Sequence, residues 1–550
     1  MNKKYFILIL VSILLLTSVS IFATGERVLP KDAVSNSEQI LYFPSAYNGT
    51  YMDIMKTMQN RIGYPMIIQE ALTNFDKNFE VKPGAGAAES WDVAKDGVTW
   101  TFNLQKDLKW SDGEKLTAHD YVFALKRAIT EGYDFSWYYG FAVDIKNWDK
   151  VSKGELSFEE LGLKAVDDYT LQIVTASPRP YLPTVLTWWF AVPEHIVKLY
   201  GDDYAASAEH LVCSGPFKVD KWIKGQKIIY VSNPEYNGAW KPYLNKIVEV
   251  SGTGEAEVGF PAYLSNELDV SRVNAGQLKY IQKNIPNELI YFPGYKWFAL
   301  AMDTNMEPFT NRKVRKAIGL AIDRNLLCDT VLNGFSKPAT TLLLPGYPGY
   351  NKDLENTMAY NPKKAKELLA EAGYPEGKGF PTIEILYRNE AKEMQIFRPL
   401  VEFIQNQLKI NLGINVESRL VEMKTYRDIF SNRKHNLFLF TYGKDYVDPS
   451  NFMDLFKTGS LTTWSNSEYD KLVKEADGIS NWQKRVGLYN KAEKIFLNEA
   501  SAVPLVTNIL NWVLKPNLKG SATTRNKSGF IMIFDGSCIP YGFTHVYVGK

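Results

Sequence analysis

Lys109-Trp-Ser-Asp-Gly-Glu-Lys-Leu-Thr-Ala-His-Asp-Tyr-Val-Phe123 holds a turn, a helix start and the first apolar residues of that helix. Ser111-Asp-Gly113 is a turn signal, because Asp bonds its own backbone and Gly tolerates left-handed dihedrals. Thr117 offers a hydroxyl to the free N–H groups of a first helical turn. Asp120, three residues on, completes a capping pair and suits the positive end of the dipole. Val122, Phe123, Ala124 and Leu125 follow. Upstream, Val98, Trp100, Phe102 and Leu104 alternate with polar residues, the period of a strand with one buried face, and Asp96-Gly97 turns the chain into it. Strand, turn and capped helix in succession set the fold class as α/β.

Working outward, the same mixture continues. A helix is expected from Asn311, with Val314, Ile318, Ala321 and Ile322 on one face. Another has Asn361 as cap, Pro362 at its first position, Leu368 and Leu369 inside and Gly373 as its stop. No internal repeat, low-complexity tract or long polar linker occurs. With 550 residues the chain needs more than one core, since domains hold about 100–200 residues. Short turns between elements imply closely packed domains, with the chain crossing between them more than once.

The N-terminus carries an export signal by its order of residues. Lys3 and Lys4 precede the apolar run Tyr5 to Leu16, and small or weakly polar residues fill Thr17 to Thr24. That is the pattern of a cleaved leader, residues 1–23, with cleavage near Ala23. No Cys precedes Cys213, so a lipid anchor on a Cys just after the leader is excluded, and the mature chain is expected to be periplasmic and soluble. The three Cys (213, 328 and 538) are far apart and odd in number, which fits neither a disulfide scaffold nor a zinc module. Cys328, in an apolar helix, reads as a buried, inert thiol. The formal charge of +2 becomes zero once Lys3 and Lys4 leave, so nothing electrostatic invites nucleic acid. The 32 Tyr, 29 Phe and 13 Trp imply either large cores or a cleft that grips flat ligands.

Catalytic patterns are absent. HExxH, CxxC and GxSxG do not occur, and Gly373-Tyr-Pro-Glu-Gly-Lys378 lacks the glycine spacing and the Ser/Thr of a phosphate loop. Glu159-Glu160, Asp167-Asp168 and Asp202-Asp203 are sequence neighbours whose side chains diverge, so they read as solvated charges rather than dyads. Five dispersed His suggest no metal or haem ligand set, and no cofactor is expected. A secreted hydrolase would need a nucleophile with a base in reach, or a metal. A binding protein is the better reading.

Five blocks in order carry a family resemblance. Ala88-Glu-Ser-Trp-Asp-Val, Asp96-Gly-Val-Thr-Trp-Thr-Phe and Lys109 to Phe123 open it; Ser214-Gly-Pro-Phe-Lys leads to Asn233-Pro-Glu-Tyr. Pro308-Phe-Thr-Asn-Arg-Lys-Val-Arg-Lys-Ala-Ile leads to Ala321-Ile-Asp-Arg, and Asn361 to Gly373 and Leu488-Tyr-Asn-Lys-Ala-Glu-Lys-Ile follow. Together they resemble the family-5 extracellular solute-binding proteins, which include the oligopeptide-binding proteins of ABC importers. The resemblance implies a periplasmic-binding-protein type II-like fold, two lobes closing on a ligand plus an additional domain. Lobe I would comprise 24–65, 188–293 and 510–550, the additional domain 66–187 and lobe II 294–509. Crossings near 293 and 509 would form the hinge. It implies partners too: an oligopeptide, or on the same scaffold an oligosaccharide, and a membrane permease, with the protein acting as a monomer.

The resemblance also places a site in Tyr442-Gly-Lys-Asp445-Tyr-Val-Asp448-Pro449. Peptide-binding relatives pair an Asp of this loop with the ligand's α-ammonium, and Asp445 matches it; Tyr442 and Gly443 would line the pocket. The bland reading is that Asp445 or Asp448 only orders the turn before Pro449. Met423 stands where relatives have a Trp pocket wall, Phe430 where some have an Arg for the ligand carboxylate, with Arg433 nearby. Arg61 falls on the opposite wall. Gly294 and Gly443 replace a bonded pair of Cys, so that clamp is missing. Phe438 and Phe440 read as the inside of a buried strand.

Overall fold

The computed structural model describes residues 27–45, 51–53, 55–56, 63–432, 435–534 and 539–550. The leader, Arg61, Arg433 and Cys538 lie outside the described residues. Along the chain, the strands are β1 (Ile40–Pro44), β2 (Ala88–Val93), β3 (Thr99–Leu104), β4 (Leu163–Asp167), β5 (Thr170–Val174), β6 (Phe217–Ile223), β7 (Lys227–Ser232) and β8 (Lys246–Val250). They continue as β9 (Val270–Arg272), β10 (Leu289–Met302), β11 (Ser336–Pro338), β12 (Ile383–Asn389), β13 (Val416–Glu422), β14 (Leu437–Gly443) and β15 (Ala502–Leu514).

Three of the sheets carry the architecture. One has the order β1-β8-β7-β6, with β1 parallel to β8; a second, β2-β3-β5-β4, is antiparallel throughout. The largest runs β11-β15-β10-β14-β12-β13, with β9 pairing β15. The expected strand before the opening motif is β3, which buries Trp100, Phe102 and Leu104. The helix after it spans Ala118–Thr130, capped reciprocally by Thr117 and Asp120. Asn311 and Asn361 cap the helices Arg312–Leu320 and Pro362–Glu371, each accepting from a backbone N–H.

β10 and β15 hold the molecule together. Their pairing extends from Leu289↔Val513 to Ala301↔Ala502, and from Trp297 to Met302 every residue of β10 is buried. A strand covered on both faces has no polar alternate, which is why Trp297-Phe-Ala-Leu-Ala-Met302 reads as an apolar run. The register shifts between Phe298 and Ala299 and breaks more widely just before: Pro293 pairs Ile509 and Trp297 pairs Thr507, so three residues face Asn508 alone. At this bulge Gly294 lies against the Asn508 side chain: a Cβ there would lie 2.1 Å from its Oδ1 and would displace that amide. Tyr295 takes a left-handed φ of 47°, a conformation that costs a non-glycine residue about 1–2 kcal/mol. Its ring, packed against Tyr347 and Phe530, holds it there.

Most of the aromatic excess is core. Trp110, Trp189, Trp297, Tyr121, Tyr139, Tyr230 and Tyr263 are fully buried; most buried apolar residues form one cluster reaching from Leu41 to Val546, and a small second one gathers Phe260, Tyr263, Leu268, Val273, Ile281 and Val513. Cys328 is buried as expected, and so is Cys213; burial pushes both thiols up to about 12. Among the described residues no helix is long and apolar enough to cross a membrane.

Three buried carboxyls set a pH dependence. Burial pushes Glu70 up to about 8 against partial relief from Asn74, whose Nδ2 donates at 3.2 Å. Glu493 and Asp477 are each pushed up to about 7, first by burial. A carboxyl whose pKa rises on folding holds its proton more tightly in the folded state. Its contribution is complete below the unfolded value and is lost as pH climbs through the folded one. Stability is therefore expected to fall between about pH 5 and pH 9 through these groups. Glu70→Gln, which stays neutral, should melt higher than the parent at pH 9 and show a shallower decline in thermal scans across that range. A parallel decline in both proteins would exclude Glu70 as a source.

Candidate functional site

The site is built on the end of β14. Leu437 to Thr441 are buried, and Tyr442-Gly443 carry the chain out beside Lys296 of β10. The backbone stays tied to β10 for one more residue, Lys444 N–H donating to the Tyr295 carbonyl at 3.2 Å. Beyond it the loop is fixed by its own polar groups. Asp445 N–H donates to Asn451 Oδ1 (3.0 Å), and Tyr347 Oη donates to the Tyr446 carbonyl (2.6 Å). Asp448 accepts from both the N–H and the hydroxyl of Ser450, at 2.9 and 2.8 Å.

The two aspartates of the loop have different roles. Asp448 orders the turn before the short helix Ser450–Met453 and is held bidentately by Arg485, with both N–O distances 2.6 Å. Asp445 does neither. Its carboxylate accepts from Tyr442 Oη at 2.5 Å, and among the described residues no Lys, Arg or His forms an ion pair with it. Burial raises its pKa from the ordinary carboxylate value, against the bonds from Tyr442 and Asn451 and the nearby charge of Lys444. Tyr442, beside it, is raised well above the usual phenol range, first by burial. A half-buried carboxylate without an ion-pair contact is electrostatically incomplete, and a ligand ammonium would complete it.

The opposite wall comes from residues 134–189. Trp188 Nε1 donates to the Asp445 carbonyl at 3.1 Å, Tyr138 lies close enough for the Asp445 charge to raise its pKa after burial, and Tyr181 stacks on Tyr446 at 5.8 Å. Phe135 stacks on Tyr138 at 5.2 Å, and Trp137 and Phe141 stand half exposed beside it. The two walls are thus in contact over Asp445, and the roof is aromatic. Sequence reasoning missed Trp188, Tyr138 and Tyr181 as site residues. Nothing in their local pattern separates a cleft aromatic from a core one; only their meeting with residues some 250 positions away does.

The remaining expected positions are scattered. Met423 begins the helix Met423–Ser431 and is half-buried. Phe430 packs on Tyr426, Phe438 and Phe440, so the place expected for a carboxylate-binding Arg is filled by aromatic packing. Gly443 is not in left-handed backbone, and a Cβ there would meet Lys296 only at an ordinary 3.6 Å. The protein itself therefore does not demand glycine at that position. Gly294 and Gly443 stand on the neighbouring strands β10 and β14.

The model of the bacterial extracellular solute-binding proteins, family 5, matches residues 82–463, more than half of the chain. The probable deoxycholate-binding periplasmic protein YgiS of Escherichia coli (strain K12) is 30% identical over 504 residues, covering 90% of this chain and 92% of that protein. The dipeptide-binding protein DppE of Bacillus subtilis (strain 168) is 27% identical over 519 residues, covering 92% and 93%. Among solved structures, a periplasmic oligopeptide-binding protein (OppAIV) from Borrelia burgdorferi superposes with a TM-score of 0.68 at 29% identity, covering 88% of this chain and 97% of that one. The architecture is that of the periplasmic-binding-protein type II class, and the chain belongs to the bacterial extracellular solute-binding proteins of family 5.

Proposed function

We propose that this protein is the exported substrate-binding component of an ABC importer, which captures oligopeptides by lobe closure and delivers them to a membrane permease. The observation that carries the reading is Asp445: a carboxylate under an aromatic roof, bonded to Tyr442 and lacking a cation in ion-pair contact among the described residues. A peptide's α-ammonium supplies that cation. A bile acid, the ligand named for the Escherichia coli relative, or a neutral oligosaccharide does not.

On this reading lobe I is formed by 24–65, 188–293 and 510–550, the additional domain by 66–187 and lobe II by 294–509. The partition is supported by the separate sheets β1-β8-β7-β6, β2-β3-β5-β4 and the large β10-containing sheet. β10 and β15 then act as hinge strands, their bulge at Gly294–Lys296 absorbing the backbone change. The ligand favours closure because only the closed form contacts it from both sides. The protein binds rather than catalyses, works as a monomer without a cofactor, and reaches the periplasm through the leader at 1–23. Native mass spectrometry of the protein purified from its exported form is expected to show adducts in a series of peptide masses, lost on mild unfolding. A single adduct with the mass of deoxycholate, or a ladder spaced by hexose units, would refute the peptide reading.

A further inference from the structure

Away from the cleft, the helices Arg312–Leu320, Pro362–Glu371 and Trp482–Glu499 border a cavity of about 500 Å³. It shares no residue with the surroundings of Asp445. Each helix contributes one lysine to its lining: Lys316, Lys364 and Lys494. With them stand the neutral polar groups of Asn356, Tyr360 and Asn498, and among the described residues no Asp or Glu lines it. Lys316 is half-buried, and its Nζ donates to neutral oxygens only. These are the Thr357 carbonyl (2.8 Å), the Leu497 carbonyl (3.0 Å) and Asn498 Oδ1 (3.5 Å). Burial lowers its pKa to about 8, helped by two further cations, Arg312 and Arg324. Glu499 pairs Arg312 at 3.5 Å. Arg324 has no such partner: it is buried, donates to the carbonyls of Pro504, Gly319 and Ile322, and leaves Nη2 without an acceptor. Asp323, whose charge reaches Arg324, caps the next helix by accepting from the Leu326 N–H at 3.0 Å. Lys364 pairs Glu367 at 3.1 Å, but both are about half exposed, where such a pair contributes little.

Positive charge held out of water without a counter-ion is unfavourable, and a bound anion relieves it. The first turn of the helix Pro362–Glu371 borders the cavity through Asn361 and Lys364, adding the positive end of its dipole. The kind of anion follows from the donors. Three separate ammonium groups, arriving from three helices, suit an anion with oxygens on several sides; a planar carboxylate is better served by one guanidinium fork. The volume sets its size, because cavities of about 300–1,000 Å³ hold small organic molecules rather than a bare inorganic ion. We propose that this cavity binds a phosphate ester of a small polyol, the chemistry that a phospholipid headgroup and a soluble glycerophosphate share. The lysines take the phosphate oxygens as point charges, and Asn356, Tyr360 and Asn498 hydrogen-bond the polyol.

The assignment is independent of what the cleft at Asp445 holds. For a receptor released from its leader without a lipid anchor, a headgroup site is also a means of staying near the membrane, where basic side chains are drawn to anionic lipid.

The test is titration calorimetry of the full mature protein with α-glycerophosphate, inorganic phosphate and sulfate. Sedimentation with phosphatidylcholine vesicles, with and without phosphatidylglycerol, is measured alongside. The protein is expected to bind one α-glycerophosphate, about tenfold more tightly than either inorganic ion. Lys364→Gln combined with Lys494→Gln, both exposed and outside the peptide cleft, should weaken the ester by about tenfold or more. Peptide binding should be unchanged in that variant. Asn356→Trp, which fills the cavity without altering its charge, should weaken the ester more than inorganic phosphate. Thermal melts check that both variants fold. Sedimentation that requires phosphatidylglycerol and disappears in the double variant would support the site with a lipid headgroup as its source. Saturable binding of the soluble ester without sedimentation would support it with a soluble source. Equal affinities for the ester, phosphate and sulfate would show general attraction to anions and overturn the assignment. An ester affinity unchanged in the double variant would overturn it too.

Discussion

Asp445→Asn is expected to lower the affinity for peptides with a free amino terminus by about 100-fold or more, measured by titration calorimetry. The size follows from the chemistry: removing one partner of a desolvated, hydrogen-bonded charge pair costs about 3–5 kcal/mol, and each 1.4 kcal/mol is about a tenfold change. The loop should survive the substitution. Its anchors are main-chain groups, the Asp445 N–H on Asn451 and the Asp445 carbonyl under Trp188, and neither uses the carboxylate. Asparagine also leaves Tyr442 Oη an acceptor in the same place. The decisive control is N-terminal acetylation. The parent should lose most of its affinity for an acetylated peptide, whereas Asp445→Asn should bind acetylated and free forms alike. A variant that still prefers the free amine as strongly as the parent would show that the ammonium is held elsewhere.

What the sequence disclosed divides by the range of the interaction. The turn at Asp112-Gly113, the Thr117–Asp120 cap and the Asn311 and Asn361 caps are contacts within a few residues, and each formed as its spacing implied. β14 was legible because Leu437 to Phe440 can only be a buried strand or a buried helix, and its short length favours the strand. Family resemblance singled out Asp445, whereas as turn-formers Asp445 and Asp448, three positions on, read alike. The turn-ordering role falls to Asp448 through Ser450 and through Arg485, which approaches it from a helix 37 residues away. The aromatic count was equally mute, because burial beside Trp189 and exposure to a cleft beside Trp188 place identical demands on local pattern. Tyr295 in left-handed backbone had no sequence signal at all. Its conformation is imposed by the bulge and by packing on Tyr347 and Phe530.

Arg485→Met is expected to be the most destabilising of the substitutions considered. The side chains of Arg485 and Asp448 are only 4% and 6% exposed. Loss of the guanidinium leaves a buried carboxylate whose remaining bonds come from Ser450 alone. Breaking such a pair from one side costs about 3–5 kcal/mol. Arg485 also donates to the Ala476 carbonyl (3.2 Å) and to Tyr489 Oη (3.0 Å), so the helix Trp482–Glu499 loses one of its ties to the helix Ser467–Asp477, the bond from Tyr489 to Asp477 remaining. The effect reaches the ligand. The guanidinium lies 4.6 Å from the centre of the Tyr181 ring, whose other neighbours include Arg179, at 5.7 Å, and Tyr446, next to Asp445. Without the cation the closed contact is weaker, and a ligand that must close the lobes binds less well by the same free energy. The midpoint of urea unfolding, followed by tryptophan fluorescence, should therefore fall in Arg485→Met. The double variant Arg485→Met with Asp448→Asn should recover part of the loss, because the orphaned charge is then gone while the Ser450 bonds persist. A midpoint unchanged in the single variant would mean that the pair is not held closed against water. Recovery of stability without recovery of peptide affinity in the double variant would locate the binding contribution in the cation over Tyr181.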